Sequence, residues 1–567
     1  MSLLSTGPNR RLNRQEQANK HTCKTLLNCY LRELGEDQAS LFSINLPENT
    51  YKICFPASAV TVSGKLTYYS AIGEHEYGHF TVIRGQEQQE LHYVDLVQWI
   101  VAEAQQQYGF PTKEGAEAFA NKVANSYRNL ALFAERSEEA HVRDYLSSEQ
   151  SLLYGHPFHP FPKNTLGFSE EDVRKYCPEL GTSFQLCYVA VRKDVFQVEW
   201  VSDQRQINQH ESVMDHVRNV LQEKRDGYEI LPLHPWQYEH VQTVSGVKDY
   251  IQAGKIILLG SCGPLAYPTS SVRTVYIPAM SCNIKLSLNI QITNMTRNNN
   301  REQMRRTLDA ASYLMQMDCF EQEPGTEISY EEGVCACRFE EDELTKLFAI
   351  AYRPIRFDET STYVLSSLVE APVSGQPSRL YSMIDRRDVD QWFRQYLALS
   401  LLPIVRIAEE KGIHFEAHLQ NALLTLKNGM PHTFIIRDLE GVSVNRDKAG
   451  EDADRSGPLF YAKEEAWART TYYFVVNHLG SLIHAIARDV QKEEQHFWAI
   501  VRDVLAKEAE ESGNEYVLNL LTANVFYAKK NMMSCLAGNS ETPSYVAVNN
   551  RMKKIGSERN ATNELLV

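Results

Sequence analysis

The residues best suited to chemistry lie in two short segments, 414–424 and 435–441. Each segment contains a short apolar run that predicts a buried strand, with polar side chains at one end. Enzymes that handle nucleotides often place an Asn beside one such strand and an Asp beside the next, where both reach the metal ion on a triphosphate. The two segments therefore predict a site for ATP. Its polar residues are His418, Gln420, Asn421, Asp438 and Glu440.

Oxygen ligands for a magnesium ion belong to the same segments. Mg²⁺ prefers carboxylate and amide oxygens together with substrate phosphates, so Asp438 and Glu440 are predicted to bind it, with Asn421 as a third ligand. His414, Glu416 and Asn421 also keep the spacing of a kinase catalytic loop, with Glu in place of Asp. A small-molecule phosphotransferase is therefore an alternative, although the Gly-rich phosphate loop of that class is missing from the sequence.

Hydroxyls and cations accompany two further predicted strands, 268–275 and 285–293. The second alternates polar and apolar residues without a fault, and the turn around Pro278 would pair it with the first. Arg273 and Lys285 would then share one surface, and phosphate oxygens favour such cations. The pattern predicts a phosphate cradle built on a sheet. Its residues are Ser270, Ser271, Arg273 and Lys285; Thr293 lies on the same face of the second strand as Lys285, and Arg297 follows the end of that strand.

A proline-rich segment, 155–168, carries two histidines three residues apart. The intervening prolines prevent the helix that would direct His156 and His159 at one metal ion. A rigid loop that presents His159 and Lys163 to an anionic substrate is the favoured interpretation. The later turn at His234-Pro235-Trp236 fits simple packing of the indole equally well.

The chain of 567 residues is too long for one hydrophobic core. Composition shifts divide it into three predicted parts: residues 1–155, mostly helical with a strand-rich insertion; residues 156–335, with hairpins that include 185–200; and residues 336–567, again helix-rich. Helices are predicted from Gln15 to Leu34 and from Lys463 to Asp489. The predicted fold class is α+β, with mixed helices and antiparallel sheets.

The formal net charge of -14 argues against a general nucleic-acid partner. No apolar run reaches the ~20 residues that span a bilayer, and no apolar region follows the basic residues near the N-terminus. The eleven cysteines are scattered, and Cys335-x-Cys337 has no further ligand at metal-site spacing. We therefore expect a cytoplasmic protein with reduced thiols and no membrane partner.

Five motifs follow one another between about residues 155 and 440. They are H-P-x-H-P-x-x-K from His156, H-P-W-Q from His234, P-T-S-S-x-R-T from Pro268, K-L-S from Lys285 through to Arg297, and H-x-Q-N from His418 with Arg437-Asp438. Together they resemble the siderophore synthetases that work without a nonribosomal peptide template, the aerobactin-synthetase (IucA/IucC-like) family. The resemblance implies a cupped hand of thumb, fingers and palm, usually dimeric.

The same resemblance implies an activity. Such enzymes adenylate a carboxylate of citrate or a similar acid with Mg-ATP and release pyrophosphate, and an amine or alcohol then attacks the acyl-adenylate to give an amide or ester. The implied acid-binding residues are His159, Thr293 and Arg297. The implied ATP-site residues are Ser271, Arg273, Lys285, His418, Gln420, Asn421 and Asp438, with Ser270 beside them.

The residue types agree with that chemistry. A carboxylate that attacks the α-phosphorus approaches like charge, so Arg273, Lys285 and Arg297 are expected to lower the barrier. The incoming nucleophile must lose a proton, and His418 or Glu416 is expected to accept it.

Two departures leave the substrates open. Thr165 stands where many members have Arg, and Lys529-Lys530 stands near the place of a usual Arg-Leu pair. The Asn164-Thr165 pair looks most like the achromobactin-type subgroup that joins citrate to L-serine. The acid could equally be a citrate monoamide or 2-oxoglutarate. A non-catalytic iron- or citrate-binding protein is a third hypothesis, but it gives Asn421 and Asp438 no role.

Overall fold

The computed structural model describes residues 13–34, 40–136, 141–201, 210–371, 376–384, 386–450, 455–540 and 542–553. The basic residues Arg10 and Arg11 lie outside these ranges. Helices alternate with sheets whose strands pair mainly antiparallel, so the predicted α+β class is confirmed. No helix within the described residues is long and apolar enough to cross a bilayer.

The N-terminal part packs three helices against a six-stranded sheet of order β1-β2-β3-β5-β6, with β4 beside β3. Leu26, Leu27 and Tyr30 lie at helical spacing on α1 and are fully buried, because this stripe faces the sheet. The helix predicted from Gln15 is confirmed. The elements are α1 (Arg14–Leu34), β1 (Phe42–Asn45), β2 (Thr50–Phe55), β3 (Val60–Tyr68), β4 (Glu76–Tyr77), β5 (Thr81–Arg84), β6 (Glu87–Glu90), α2 (Tyr93–Tyr108) and α3 (Lys113–Phe133).

The middle part supplies most of an eight-stranded antiparallel sheet and the helices on it. Its elements are α4 (Tyr145–Glu149), β7 (Thr165–Leu166), α5 (Glu170–Tyr176), β8 (Phe184–Arg192), β9 (Phe196–Trp200), α6 (Glu211–Leu221), β10 (Tyr228–Leu233), α7 (Pro235–Val241), α8 (Ser245–Gln252), β11 (Ile256–Pro268), β12 (Thr274–Ile277), β13 (Cys282–Lys285), β14 (Leu288–Ile292), β15 (Met295–Arg297) and α9 (Arg301–Met317). Apolar residues of α6, α7 and α8 pack on the sheet.

The C-terminal part surrounds the strand pair β21–β22 with helices. Its elements are β16 (Thr326–Ser329), β17 (Gly333–Cys337), α10 (Asp342–Thr345), β18 (Ile350–Pro354), β19 (Thr362–Val364), α11 (Leu365–Val369), α12 (Val389–Leu399), α13 (Leu401–Glu410), β20 (Ile413–His414), β21 (Ala422–Lys427), β22 (Met430–Arg437), β23 (Ser443–Asn445), β24 (Phe460–Tyr461), α14 (Lys463–Thr470), α15 (Gly480–Val490), α16 (Glu494–Ser512), α17 (Glu515–Thr522), β25 (Val525–Lys529), α18 (Asn531–Leu536) and β26 (Tyr545–Asn549). Between α14 and α15 the chain forms a π-helix, Thr471–Leu479.

The order of the eight-stranded sheet is β10-β8-β11-β12-β13-β18-β17-β9. The hairpin predicted over residues 185–200 is therefore wrong. β8 pairs with β10 and β11, whereas β9 pairs with β17 at the far end of the order. The nearly continuous burial of β8 explains this placement, because a strand covered on both faces belongs inside a sheet.

The single strand predicted over 285–293 is also wrong, because it divides into β13 and β14, which lie in different sheets. Buried Ser287 stands at the division, where its Oγ donates to the carbonyls of Lys346 and Ala349 (both 2.7 Å). The predicted strand 268–275 is interrupted by a turn. The predicted pairing through the turn at Pro278 is confirmed over β12 and β13, with Thr274 opposite Lys285.

The three-part division of the chain stays a prediction. Residue 335, the predicted boundary, lies within β17, and the next strand of the chain in that sheet is β18.

A buried ionic cluster joins the N-terminal and C-terminal parts. The side chain of His484 on α15 is 1% exposed, and its Nδ1 lies 3.2 Å from Glu494. Its Nε2 lies 3.7 Å from Glu76 and 3.9 Å from Glu74. Burial alone would lower the pKa of His484, but the three carboxylates raise it to about 9. Arg488 completes the cluster, 3.6 Å from Glu76.

This cluster predicts a pH-dependent stability. A raised histidine pKa contributes stability in full below the ordinary value of about 6.5, and the contribution disappears as the pH rises through 9. The difference in unfolding free energy between wild type and His484→Gln should therefore be widest near pH 6.5, at on the order of 3 kcal/mol, and should narrow towards pH 9. Thermal melting at a series of pH values measures it. The matched control is His496→Gln, whose side chain is 41% exposed. A gap for His484→Gln that does not change with pH would contradict the assignment.

Candidate active site

One cavity of about 1020 Å³ lies among the three parts of the chain. Every site residue predicted from the sequence lines it. These residues are His159, Lys163, Ser270, Ser271, Arg273, Lys285, Thr293, Arg297, Glu416, His418, Gln420, Asn421, Asp438 and Glu440. His159 and Glu440, which are 281 positions apart in the sequence, therefore line a single chamber.

The turn between β11 and β12 carries the predicted hydroxyl cradle. Val272 adopts a left-handed backbone conformation, with φ of 67°, which β-branched residues rarely adopt. The amide of Thr274 donates to Ser271 Oγ at 3.2 Å, and the amide of Val272 donates to the carbonyl of Thr269 at 2.8 Å. The turn is strained and tightly bonded, which is typical of backbone shaped for a ligand.

A buried ion pair holds this turn against the strand pair β21–β22. Glu149, on α4, accepts hydrogen bonds from the amide and the hydroxyl of Ser270, at 3.1 and 2.8 Å, and from the guanidinium of Arg437. Arg437 also donates to the carbonyl of Gln420 at 2.8 Å and to Tyr145 Oη at 3.2 Å. Sequence reasoning missed Glu149, because nothing in its local pattern indicates a buried acid.

The second half of the site is a lysine between two carboxylates. Lys285 Nζ lies 2.9 Å from Asp438 and 3.0 Å from Glu440, and Glu440 also accepts from Gln303 at 2.8 Å. Burial alone would lower the pKa of Lys285, but the two carboxylates raise it. Burial raises the pKa of Asp438, yet Lys285 brings it well below its usual range. Asp438 follows β22 in a left-handed conformation, with φ of 68°.

Two arginines stand beside this network without an acidic partner. Within the described part of the chain, no carboxylate lies within 4 Å of the guanidinium of Arg273 or Arg297. Arg273 Nη1 donates to Asn299 Oδ1 at 2.6 Å, and Arg297 Nη2 donates to Thr293 Oγ1 at 3.1 Å. Burial, together with the charge of Arg273, lowers the pKa of Arg297 to about 10. Its buried Nε has no hydrogen-bond partner in the described part of the chain.

The histidine loop 155–168 also reaches the cavity. Burial lowers the pKa values of His156 and His159 to about 3, so both imidazoles are neutral hydrogen-bonding groups at physiological pH. Lys163 Nζ lies 2.5 Å from Glu179 and 2.5 Å from the carbonyl of Leu152. The prediction that Lys163 offers its charge to an anionic substrate does not fit this geometry, because Glu179 already neutralises it.

The C-terminal wall of the cavity contains three residues of the π-helix that sequence reasoning missed, Tyr472, Tyr473 and Asn477. β25 contributes Lys529, one of the two lysines noted near the place of the usual Arg-Leu pair. Burial lowers the pKa of His418, whose ring centroid lies 6.1 Å from that of Tyr473. The hydrophobic periodicity of residues 463–489 predicted one α-helix and gave no indication of the i→i+5 hydrogen bonds of the π-helix.

Two family models match this chain. Residues 144–368 match the IucA / IucC family, and residues 390–544 match the model described as ferric iron reductase FhuF-like transporter. The L-2,3-diaminopropanoate–citrate ligase of Staphylococcus aureus is 33% identical over 554 residues, which are 93% of this chain and 94% of the relative. This chain belongs to the IucA/IucC family of siderophore synthetases. The predicted membership is confirmed, and the protein is a ligase.

Other relatives and solved structures agree with this IucA/IucC membership. The spermidine–citrate ligase of Bacillus anthracis is 26% identical over 85% of this chain and 88% of its own length. The ATP-bound aerobactin synthetase IucA from Klebsiella pneumoniae superposes with a TM-score of 0.84 at 22% identity, covering 96% of this chain and all of that one. The petrobactin biosynthesis protein AsbB from Bacillus anthracis gives a TM-score of 0.79 at 16% identity, over 95% and 97% of the two chains. At these identities the structural matches show a shared fold.

The ion pair between Glu149 and Arg437 generates a stability prediction. Glu149→Gln keeps the side-chain volume but leaves the buried guanidinium uncompensated, so unfolding should become easier by about 3–5 kcal/mol. The control Glu170→Gln removes an acid from an exposed pair with Arg174 and should change stability by less than about 0.5 kcal/mol. Thermal melting measures both. Equal melting temperatures for the two variants would show that the buried pair does not hold the turn.

Proposed function

We propose that this enzyme adenylates a carboxylate of citrate with ATP and condenses the acyl-adenylate with an amine. The observation that carries the proposal is a pair of guanidinium groups, Arg273 and Arg297, that have no carboxylate within 4 Å among the described residues. They lie in the cavity that also holds Lys285 between Asp438 and Glu440. Buried cations without carboxylates favour polyanionic ligands, and both ATP and citrate are polyanions. The citrate ligases among its relatives support the choice of acid.

In the first step a citrate carboxylate oxygen attacks the α-phosphorus of ATP, and the bond from that phosphorus to the bridging oxygen breaks to release pyrophosphate. Both reactants are anions, so cations at the α-phosphate lower the barrier most. Arg273 and Lys285 take this role. Thr293 and Arg297, with neutral His159, hold the remaining carboxylates of the acid.

The nucleotide is assigned to Ser270, Ser271, Gln420, Asn421 and His418, which line the same cavity as Arg273 and Lys285. The carboxylates of Asp438 and Glu440, with the amide oxygen of Asn421, suit Mg²⁺ in ligand type. Bound there, Mg²⁺ would neutralise charge on the phosphates of the nucleotide. We also propose that this enzyme is a homodimer in the cytoplasm.

In the second step the amine nitrogen attacks the acyl carbon, and the bond from that carbon to the AMP oxygen breaks. AMP leaves with the electron pair, and the nitrogen gives up a proton. Glu416 or neutral His418 accepts it, since both line the cavity and burial keeps His418 unprotonated near neutral pH.

Turnover trapped with hydroxylamine tests the reaction type. Citrate with Mg-ATP should give pyrophosphate, AMP and citryl hydroxamate, whereas 2-oxoglutarate and succinate should give little. Formation of ADP and phosphate instead would contradict adenylation and would support the phosphotransferase alternative.

An ATP-site variant, Asp438→Ala or Arg273→Ala, should abolish pyrophosphate release. Full release by either variant would show that its assignment is wrong.

Arg297 generates a separate prediction about the acid. Arg297→Met should raise the KM for citrate at least about tenfold with little effect on the KM for ATP, because one charged hydrogen-bond donor contributes roughly 1.5–3 kcal/mol. Arg305→Met is the matched control, since Arg305 is 68% exposed and pairs with Asp309 on α9. A raised KM for ATP with an unchanged KM for citrate would assign Arg297 to the nucleotide.

A further inference from the structure

One cation on the cavity wall, Lys529, is not among the residues assigned above to ATP or citrate. Lys529 ends β25, and its Nζ donates to Tyr473 Oη at 2.6 Å. The same atom lies 4.8 Å from the ring centroid of Tyr473 and 5.4 Å from that of Tyr472. Among the residues that the structure describes, no carboxylate lies within 4 Å of it. A partly buried ammonium held on aromatic rings in this way is available to an anionic group.

The π-helix places an unused acceptor on the same wall. Asn477 is 7% exposed and lines the cavity, yet its Oδ1 has no hydrogen-bond partner among the residues that the structure describes. A buried amide oxygen without a donor requires an explanation, and one explanation is a ligand that supplies the donor. π-Helical turns occur frequently at functional sites. Here the π-helix is fixed to the segment that carries Glu416 and His418, because His478 Nδ1 lies 2.7 Å from the carbonyl oxygen of Ala417.

A carboxylate completes the pattern. Glu416 lines the cavity, where its side chain hydrogen-bonds with that of Tyr473 and its Oε2 lies 3.9 Å from Arg469 Nη2. Gly441 allows this carboxylate its position, because a Cβ at Gly441 would lie 2.4 Å from Glu416 Oε2. The wall therefore presents two acceptors for a nitrogen, Glu416 and Asn477, together with a cation for an anionic group, Lys529.

This wall adjoins both reactant sites. Asn531, two residues after Lys529, donates to the carbonyl of Phe158 at 2.8 Å and so contacts the loop that carries His159. On the other side, Tyr473 contacts the ring of His418. A molecule held against Lys529 and Asn477 would thus lie next to the residues assigned to the acyl-adenylate.

We propose that Lys529, Asn477 and Glu416 form the subsite of the attacking amine, and that this amine carries its own carboxylate, as an amino acid does. The inference rests on the proposed function. Lys529 pairs with the carboxylate of the amine, and Asn477 accepts a hydrogen bond from its nitrogen. Glu416 accepts the proton released when that nitrogen bonds to the acyl carbon and AMP departs. A polyamine without a carboxylate would leave Lys529 unpaired.

Two amines that differ only in the carboxylate test the subsite. L-2,3-Diaminopropanoate and 1,2-diaminoethane are compared as nucleophiles with citrate and Mg-ATP, by mass-spectrometric quantification of the citryl amides; ornithine and 1,4-diaminobutane form a second such pair. Wild type should favour the carboxylated member by about 10- to 100-fold in kcat/KM. Lys529→Met should bring the ratio close to one, and Lys529→Arg should restore part of the preference. The ratio is insensitive to changes in adenylation, which are common to both amines.

Lys530→Met is the matched control, because Lys530 is the next residue but does not line the cavity. It should keep the wild-type ratio. Citrate-dependent pyrophosphate release with equal use of both amines, or an unchanged ratio in Lys529→Met, would overturn the subsite alone. Absence of citrate-dependent release would overturn the proposed function and the subsite with it.

Discussion

The buried pair of Glu149 and Arg437 is the interaction on which the site depends. Glu149 is fully buried and Arg437 is 5% exposed, so neither charge has water as an alternative partner. The pair and its hydrogen bonds join three elements distant in sequence: α4, the strained turn at Ser270 and the strand pair β21–β22. An ion pair is a costly way to gain stability, but each of its hydrogen bonds has a direction. It therefore determines the relative placement of the hydroxyl cradle and the acidic end of β22.

Charge is distributed unevenly in this acidic protein. The formal net charge is -14, yet Arg273, Arg297 and Lys285 crowd into one cavity, where burial lowers the pKa values of both arginines. Asp438 and Glu440 bond directly to Lys285, and at longer range their charges also act on the two arginines. A cluster of cations in a cavity favours anionic ligands there, while net negative charge on the protein disfavours binding of unrelated polyanions elsewhere.

Local patterns predicted the parts of the site whose signals are local. The strand pair β21–β22, the hairpin through Pro278 and α1 all have clear hydrophobic periodicity, and their positions follow from it. Which strands pair with each other could not be predicted from local patterns. β8 and β9 are adjacent in sequence and separate in the sheet, because partner choice depends on burial across the whole sheet. The partner of Lys163 was hidden from the sequence for the same reason, because Glu179, with which it pairs, could be found only in three dimensions.

The π-helix has a consequence for how this active site can change. In an α-helix each residue turns the chain by about 100°, so one inserted or deleted residue rotates everything on one side of it relative to the other. Segment 471–479 already contains wider i→i+5 turns, and deletion of one residue there would allow ordinary α-helical bonding. Such a deletion would turn Tyr472 and Tyr473 away from the cavity while α15, beyond the segment, kept its packing. A change of one codon in length could therefore remodel this wall in a single evolutionary step, without any substitution in the residues assigned to ATP or citrate.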